Sequence, residues 1–155
     1  MLLTSCPYEA KFALGKADAC PIDSALLGLW MNISYSVDHE SPNDTSFYDV
    51  TAFNATEYLI EFSELRKGAV KEETNLRAFE TKIGTVRILN ITEIGKSQFS
   101  FYKFVFEGEK LNVSYLSDKF IKEQFAGSNE LNKFVTKNIA EKTIFEDNVV
   151  FTKVK

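Results

Sequence analysis

Leu29, Met31, Ile33, Tyr35 and Val37 alternate with Trp30, Asn32, Ser34 and Ser36. A period of two held this long predicts a strand over 27–37, because successive side chains of a strand point to opposite faces. The polar run 38–44, with Pro42 in it, predicts a loop. Further runs predict strands over 46–53, 57–65, 76–83, 85–92, 98–107 and 110–116, with Gly84 and Gly108 in the turns between them. The charged stretch 66–75, which contains Gly68, predicts another loop. From 117 to 140 the period changes. Phe120, Ile121 and Phe125, then Leu131, Phe134, Val135 and Ile139, recur at helical spacing. Gly127 is expected to divide this stretch into two helices, with Ser117 and Ser128 as their N-caps. A last strand is expected over 144–154 and a single helical turn over 24–27.

The links between these strands are short, which argues for antiparallel pairing, since parallel strands need long crossovers. The helical insertion is long enough to bring the last strand beside the first. The expected fold class is therefore mainly β: an antiparallel eight-stranded barrel with a helical segment before the last strand. The interior of such a barrel either holds one small ligand or is filled by side chains. Residues 23–155 read as this single domain. Residues 1–22 contain Pro7, Gly15 and Pro21, show no periodicity, and read as an extended leader or tether.

Composition fits that picture and narrows the function. With 155 residues, 45% of them hydrophobic, the chain can bury one sizeable core. Aromatics at 14% suit half-buried pleated surfaces. The net charge is -4, and Arg66, Arg77 and Arg87 are scattered, so no basic stripe marks a nucleic-acid binder. No apolar run reaches the roughly 18 residues that span a bilayer as a helix, so membrane attachment is expected only through a lipid anchor. Met1-Leu2-Leu3-Thr4-Ser5-Cys6 resembles the end of a bacterial lipoprotein signal: an apolar position, small residues, then the cysteine that becomes lipidated. Two other readings of the cysteines stay open. A Cys6–Cys20 disulfide closing a short loop contributes roughly 3 kcal/mol in the chain-entropy model. Two reduced cytosolic thiols are the third reading. Lipidation and disulfide formation both place the protein outside the cytoplasm.

Gly28-Leu29-Trp30 at the entry to the first strand resembles the Gly-x-Trp of lipocalins. Lipocalins place an Arg near the last strand to cover that Trp. No Arg follows Arg87 here, which leaves Lys153 or Lys155 to take its part. From Asp23 onward the chain resembles a group of bacterial lipoproteins with lipocalin-like barrels and no assigned activity. The matching pieces are Leu26-Leu27-Gly28-Leu29-Trp30, Arg77-Ala78-Phe79-Glu80-Thr81-Lys82-Ile83-Gly84, Ile88-Leu89-Asn90-Ile91, Tyr102-Lys103-Phe104 and Val150-Phe151-Thr152-Lys153-Val154. The resemblance implies a barrel and a periplasmic or cell-envelope location.

Catalytic machinery is not expected. His39, the only histidine, lies in a polar loop between Asp38 and Glu40 and reads as solvated. Neighbours on an extended chain point to opposite sides, so this triplet is poorly shaped to chelate a metal. Tetrahedral zinc spacings, a Gly-x-Ser-x-Gly elbow and a phosphate-binding glycine loop are missing from the sequence. No cofactor or metal is expected, and the chain reads as a non-enzyme. Glu61, Glu80 and Glu107 fall in predicted strands and are expected on outer faces; an inward one would bind a cation or a polar ligand. Trp30, Tyr35, Tyr58, Phe62, Phe101, Tyr102, Phe104 and Tyr115 are the candidates to line a cavity for a small apolar or amphipathic ligand. Phe101 is expected to tell a hollow barrel from a filled one. Phe120, Phe125, Phe134 and Val135 are expected to seal the barrel. The alternative to a carrier is a filled barrel serving as an envelope scaffold or interaction module.

Overall fold

The computed structural model describes residues 6–35 and 42–154, apart from the side chains of residues 34, 35, 42 and 43. Nine strands run in chain order: β1 (Glu9–Ala10), β2 (Gly28–Tyr35), β3 (Pro42–Ala52), β4 (Glu57–Arg66), β5 (Ala69–Ile83), β6 (Val86–Glu93), β7 (Phe99–Glu107), β8 (Lys110–Leu116) and β9 (Phe145–Lys153). One α-helix, α1 (Ser128–Asn138), precedes β9, and a 3-10 turn (Ser24–Leu26) precedes β2. Each strand from β2 to β8 pairs antiparallel with the next, and β9 pairs with both β8 and β2. The result is a closed eight-stranded antiparallel barrel, with the helical insertion carrying β9 back beside β2 as the sequence implies. Closure leaves no free sheet edge among these eight strands. The seam between β2 and β9 is the shortest, pairing only Trp30 with Lys153 and Met31 with Thr152. The Val154 N–H extends it by donating to the Leu29 carbonyl at 2.8 Å. Strand β1 adds to β7 at Phe99 and Ser100, just before β8 takes up the pairing at Tyr102.

Two expectations about local structure need correction. The charged stretch 66–75 is not a loop. Lys67 and Gly68 alone make the turn, at φ 52° and 78°, and β5 then runs for 15 residues. Positive φ at both central residues matches the twist of the flanking strands, and glycine reaches it without strain. The charges sit on the ladders of β3, β4 and β5 and pair across them. Arg66 grips Asp44 with two bonds, at 2.7 and 3.0 Å, and Lys71 donates to Glu64 at 2.6 Å. Cross-strand pairs of this kind favour the ladder that the local charge density obscures.

The second correction concerns 117–127, which forms no helix. Ser117 Oγ accepts the Lys119 N–H at 3.2 Å in an irregular turn, so it caps nothing. The helical spacing of Phe120 and Phe125 records tertiary packing instead. Both rings meet Phe134 of α1, at 6.1 and 5.2 Å between centroids. Gly127, not Ser128, occupies the N-cap position, and the Ser128 hydroxyl donates to the Ala13 carbonyl.

Two apolar cores lie on opposite sides of one wall. Strand alternation splits residues between them: Ile88 from its neighbour Leu89, and Phe101 from Phe104 three residues on. The inner core fills the lower barrel around Trp30, Tyr58, Phe104 and Leu111. The outer core lies between the wall and α1, with Leu131 and Val135 buried against Ile88 and Phe101. Helix α1 thus packs on the outside and does not seal the barrel as expected. Residues of the leader join this outer core through Ala10 and Leu14. Fully buried Asn90 fastens them by accepting the Leu14 N–H at 2.7 Å and donating to Thr81 Oγ1 at 2.8 Å.

Candidate functional site: the barrel cavity

The closed end of the barrel is built first by local sequence. Asp23 caps the 3-10 turn by accepting the Ala25 N–H at 2.9 Å. The turn directs Leu26 inward, and the Trp30 indole N–H donates to the Leu26 carbonyl at 2.8 Å. Gly28 links the two at φ 118°, a conformation that side chains rarely adopt. Lys153 then covers the seam. Its ammonium lies 5.1 Å from the Trp30 ring and donates to the Ala25 carbonyl at 3.2 Å. The expected partner of the tryptophan is therefore Lys153; Lys155 lies outside the described residues.

Beside this closure sits a buried ion pair. Glu80, 2% exposed, accepts two bonds from Arg87 at 2.8 Å each. Arg87 also reaches Asp23 at 2.9 Å and lies over the Phe104 ring at 4.5 Å. Glu80 and then Asp23 favour the charged guanidinium and hold its pKa above the ordinary arginine value. Of the three carboxylates expected on outer faces, Glu61 and Glu107 are exposed, but Glu80 is not. The cation it binds is the chain's own Arg87, because an unpaired buried carboxylate would be costly.

Above this floor the barrel encloses a cavity of about 360 Å³. Its deep wall is aliphatic, from Leu26, Val50, Ile60, Leu89 and Leu111 around Trp30. Polar groups lie nearer the mouth: Asn32, Ser46, Tyr48, Tyr102 and Tyr115. Among the described residues no charged side chain lines it. Burial pushes the Tyr48 hydroxyl up to about 12, with Tyr102, Glu64 and Glu72 adding to the effect. Tyr102 is pushed up as well, again mainly by burial. Both phenols therefore stay neutral at physiological pH. Tyr58 is raised by burial too, and its hydroxyl accepts the Asp23 N–H at 2.6 Å. A broader groove of about 780 Å³ lies on the outer wall, open to solvent and edged by Asp49, Glu61, Glu73 and Glu93.

Of the eight aromatic candidates, the structure brings Trp30, Tyr58, Tyr102 and Tyr115 together in the cavity wall. Phe104 lies below it, packed edge-on to Phe106 and under Arg87. Phe62 is the cross-strand partner of Tyr48, its ring 4.9 Å away, but does not itself line the cavity. Phe101 is on the other side of the wall, in the outer core, where it stacks on Tyr8 at 6.2 Å. It therefore cannot report whether the barrel is hollow. Tyr35 ends β2, and its side chain lies outside what is described, as does His39. Sequence reasoning missed Tyr48 and Phe151, whose rings meet edge to face at 5.2 Å in the cavity wall. The signal was present in Ser46, Tyr48 and Val50, which line the cavity while Phe47 and Asp49 edge the outer groove.

Cys6 and Cys20 are both free, and Cys6 is exposed. Pro7 bridges Ser117, the Tyr8 N–H donates to the Leu116 carbonyl at 2.7 Å, and the Asp118 N–H to the Cys6 carbonyl at 3.3 Å. These contacts set Cys6 beside the end of β8 that carries Tyr115, at the mouth. Among the described residues no group of His, Cys, Asp and Glu is arranged to hold a metal ion, and no helix is long and apolar enough to cross a membrane. No protein-family model matches the chain, and neither the curated proteins nor the solved structures give a match.

Proposed function

We propose that this protein binds a small apolar or amphipathic molecule inside its barrel, without catalysis, outside the cytoplasm. The half-open cavity of about 360 Å³ within the barrel is the observation that carries the reading. It falls at the lower end of the range of about 300–1,000 Å³ usual for ligand sites, and its mixture of aliphatic wall and a few hydroxyls is typical of them. Binding works by removing apolar ligand surface from water, at about 25 cal/mol per Å². No side chain in the wall has to donate charge or act as a nucleophile.

The extracytoplasmic part of the proposal rests on the lipoprotein-like sequence ending at Cys6 and on the resemblance to lipoprotein barrels. The position of Cys6 supports it: a lipid there anchors the barrel by its mouth end, close to a bilayer that holds amphipathic molecules. A filled envelope scaffold is the second reading. The lower barrel favours it, because Phe104, Phe106 and Arg87 pack that end solid.

Native against denaturing mass spectrometry of the protein from its own host tests both readings. An added mass that disappears on denaturation supports the carrier. A lipid that survives denaturation and maps to Cys6 supports the anchor. A bare native mass, unchanged after incubation with lipid extract, rules against the carrier and favours the scaffold.

A further inference from the structure

We infer that the cavity selects an uncharged amphiphile, about a dozen non-hydrogen atoms long within the barrel, whose polar head accepts a hydrogen bond from the Tyr48 hydroxyl. This deepens the carrier reading and rests on it.

Size sets the first limit. At roughly 30 Å³ per water-sized unit, the cavity of about 360 Å³ takes about twelve such units. Orientation follows from the wall. The deep end is aliphatic around Trp30, so the tail belongs there, and the polar head stays among Asn32, Ser46 and the mouth tyrosines.

Charge sets the second limit. A buried carboxylate needs a cation or several donors, since an ionised group left unpaired in an apolar site costs several kcal/mol. Among the described residues the wall offers no cation. Of the basic side chains on the β4–β5 hairpin, Arg66 is engaged with Asp44 and Lys71 with Glu64, while Lys67 is exposed in the turn and does not line the cavity. With Glu64 paired to Lys71, Glu72 is the acid that opposes negative charge at Tyr48. An anionic head is therefore repelled where a neutral one is accepted.

Two hydroxyls of the wall, Ser46 and Tyr48, make no hydrogen bond to a described residue, and the phenol of Tyr48 is the stronger donor because it is more acidic than an aliphatic alcohol. Tyr115 donates to Asp147 at 2.9 Å, and Asn32 donates to the Val150 carbonyl at 2.9 Å. The Tyr58 hydroxyl accepts the Asp23 N–H at the floor, away from a head at the mouth, and Tyr102 shares a hydrogen bond with Ser100. The Tyr48 hydroxyl lines the cavity with no hydrogen-bond partner among the described residues. It stays protonated, fixed between Phe62 and Phe151. A ligand carbonyl or hydroxyl oxygen satisfies it.

Trp30, the only tryptophan, lines the cavity and reports occupancy through its fluorescence. The test titrates decanamide, sodium decanoate and undecane, which match in length and differ in head group, into the wild type and Tyr48→Phe. Decanamide is expected to bind at least tenfold more tightly than decanoate at neutral pH. Tyr48→Phe is expected to weaken decanamide about three- to tenfold, the range of one neutral hydrogen bond, and to leave undecane unchanged. Decanoate binding as well as decanamide overturns the inference even if the variant misfolds, because that comparison uses the wild type alone. An unchanged decanamide affinity in a folded Tyr48→Phe also overturns it. Silence from all three probes sinks the carrier reading itself.

Discussion

Replacing Arg87 by Met tests how the barrel floor is held. The carboxylate of Glu80 is about 1% exposed and receives both of its close bonds, 2.8 Å each, from Arg87. Removing the guanidinium leaves only Lys82, 3.9 Å away and largely solvated, to face it. Breaking a buried pair on one side costs about 3–5 kcal/mol, because the remaining charge stays buried without compensation. Losing the half-exposed contact to Asp23 adds at most about 1 kcal/mol. The methionine thioether keeps part of the contact with Phe104. The expected loss is therefore about 4 kcal/mol. Urea unfolding followed by Trp30 emission measures it. With a slope of about 2 kcal/mol per molar, the midpoint should fall by about 2 M. The double variant Glu80→Met/Arg87→Met supplies the control. Replacing both charges by apolar groups of similar length is nearly neutral or stabilising, so it should recover most of the loss. A loss below about 1 kcal/mol in Arg87→Met, or a double variant no more stable than the single, refutes the reasoning. Either result would mean that water, not Arg87, solvates Glu80.

Phe101→Ala empties part of the outer core and should cost about 3–5 kcal/mol of stability. It should leave decanamide affinity unchanged in the Trp30 titration, since Phe101 stands on the far side of the wall from the cavity. The Ala25 N–H first, and Arg87 after it, hold the Asp23 carboxyl below its ordinary range. A depressed folded pKa gives stability that is fully present above the unfolded value near 3.9 and is lost as pH falls through the lower folded value. Asp23→Asn should therefore be less stable than wild type at neutral pH, by up to about 1 kcal/mol, with the gap closing in acid; a gap of constant size across a pH series of melting curves contradicts this. Gly28→Ala puts a Cβ at φ 118° and 3.0 Å from Lys153 Cε. Strain of this kind costs about 1–3 kcal/mol, and the displaced ammonium should shift Trp30 emission; an unshifted spectrum and unchanged stability would show that the closure tolerates the change.

The eight barrel strands were legible in the sequence, apart from the first half of β5, and so was antiparallel order, because period-two alternation and short turns are local properties. The closing strand and the 3-10 turn could be read at that level, while the resemblance offered Lys153 or Lys155 over Trp30 and only the structure chose Lys153. Which face of each strand points inward could not. Alternation shows that a strand has two faces, and in β2 the more apolar face is the outer one: Ile33 is exposed, while Trp30 and Asn32 line the cavity. In β7 both faces are aromatic, because one meets the barrel interior and the other meets α1, so the strand carries no polar face to orient it. Phe101 was placed inside for that reason. The spacing of Phe120 and Phe125 misled in the same way, since three- and four-residue intervals also arise where an irregular segment lays rings against a helix. The ion pair at Glu80, the free hydroxyl of Tyr48 and the position of Cys6 at the mouth each join residues far apart in the chain. Their meeting depends on barrel closure and on the docking of leader and helix on the wall, which are long-range contacts that no local pattern encodes.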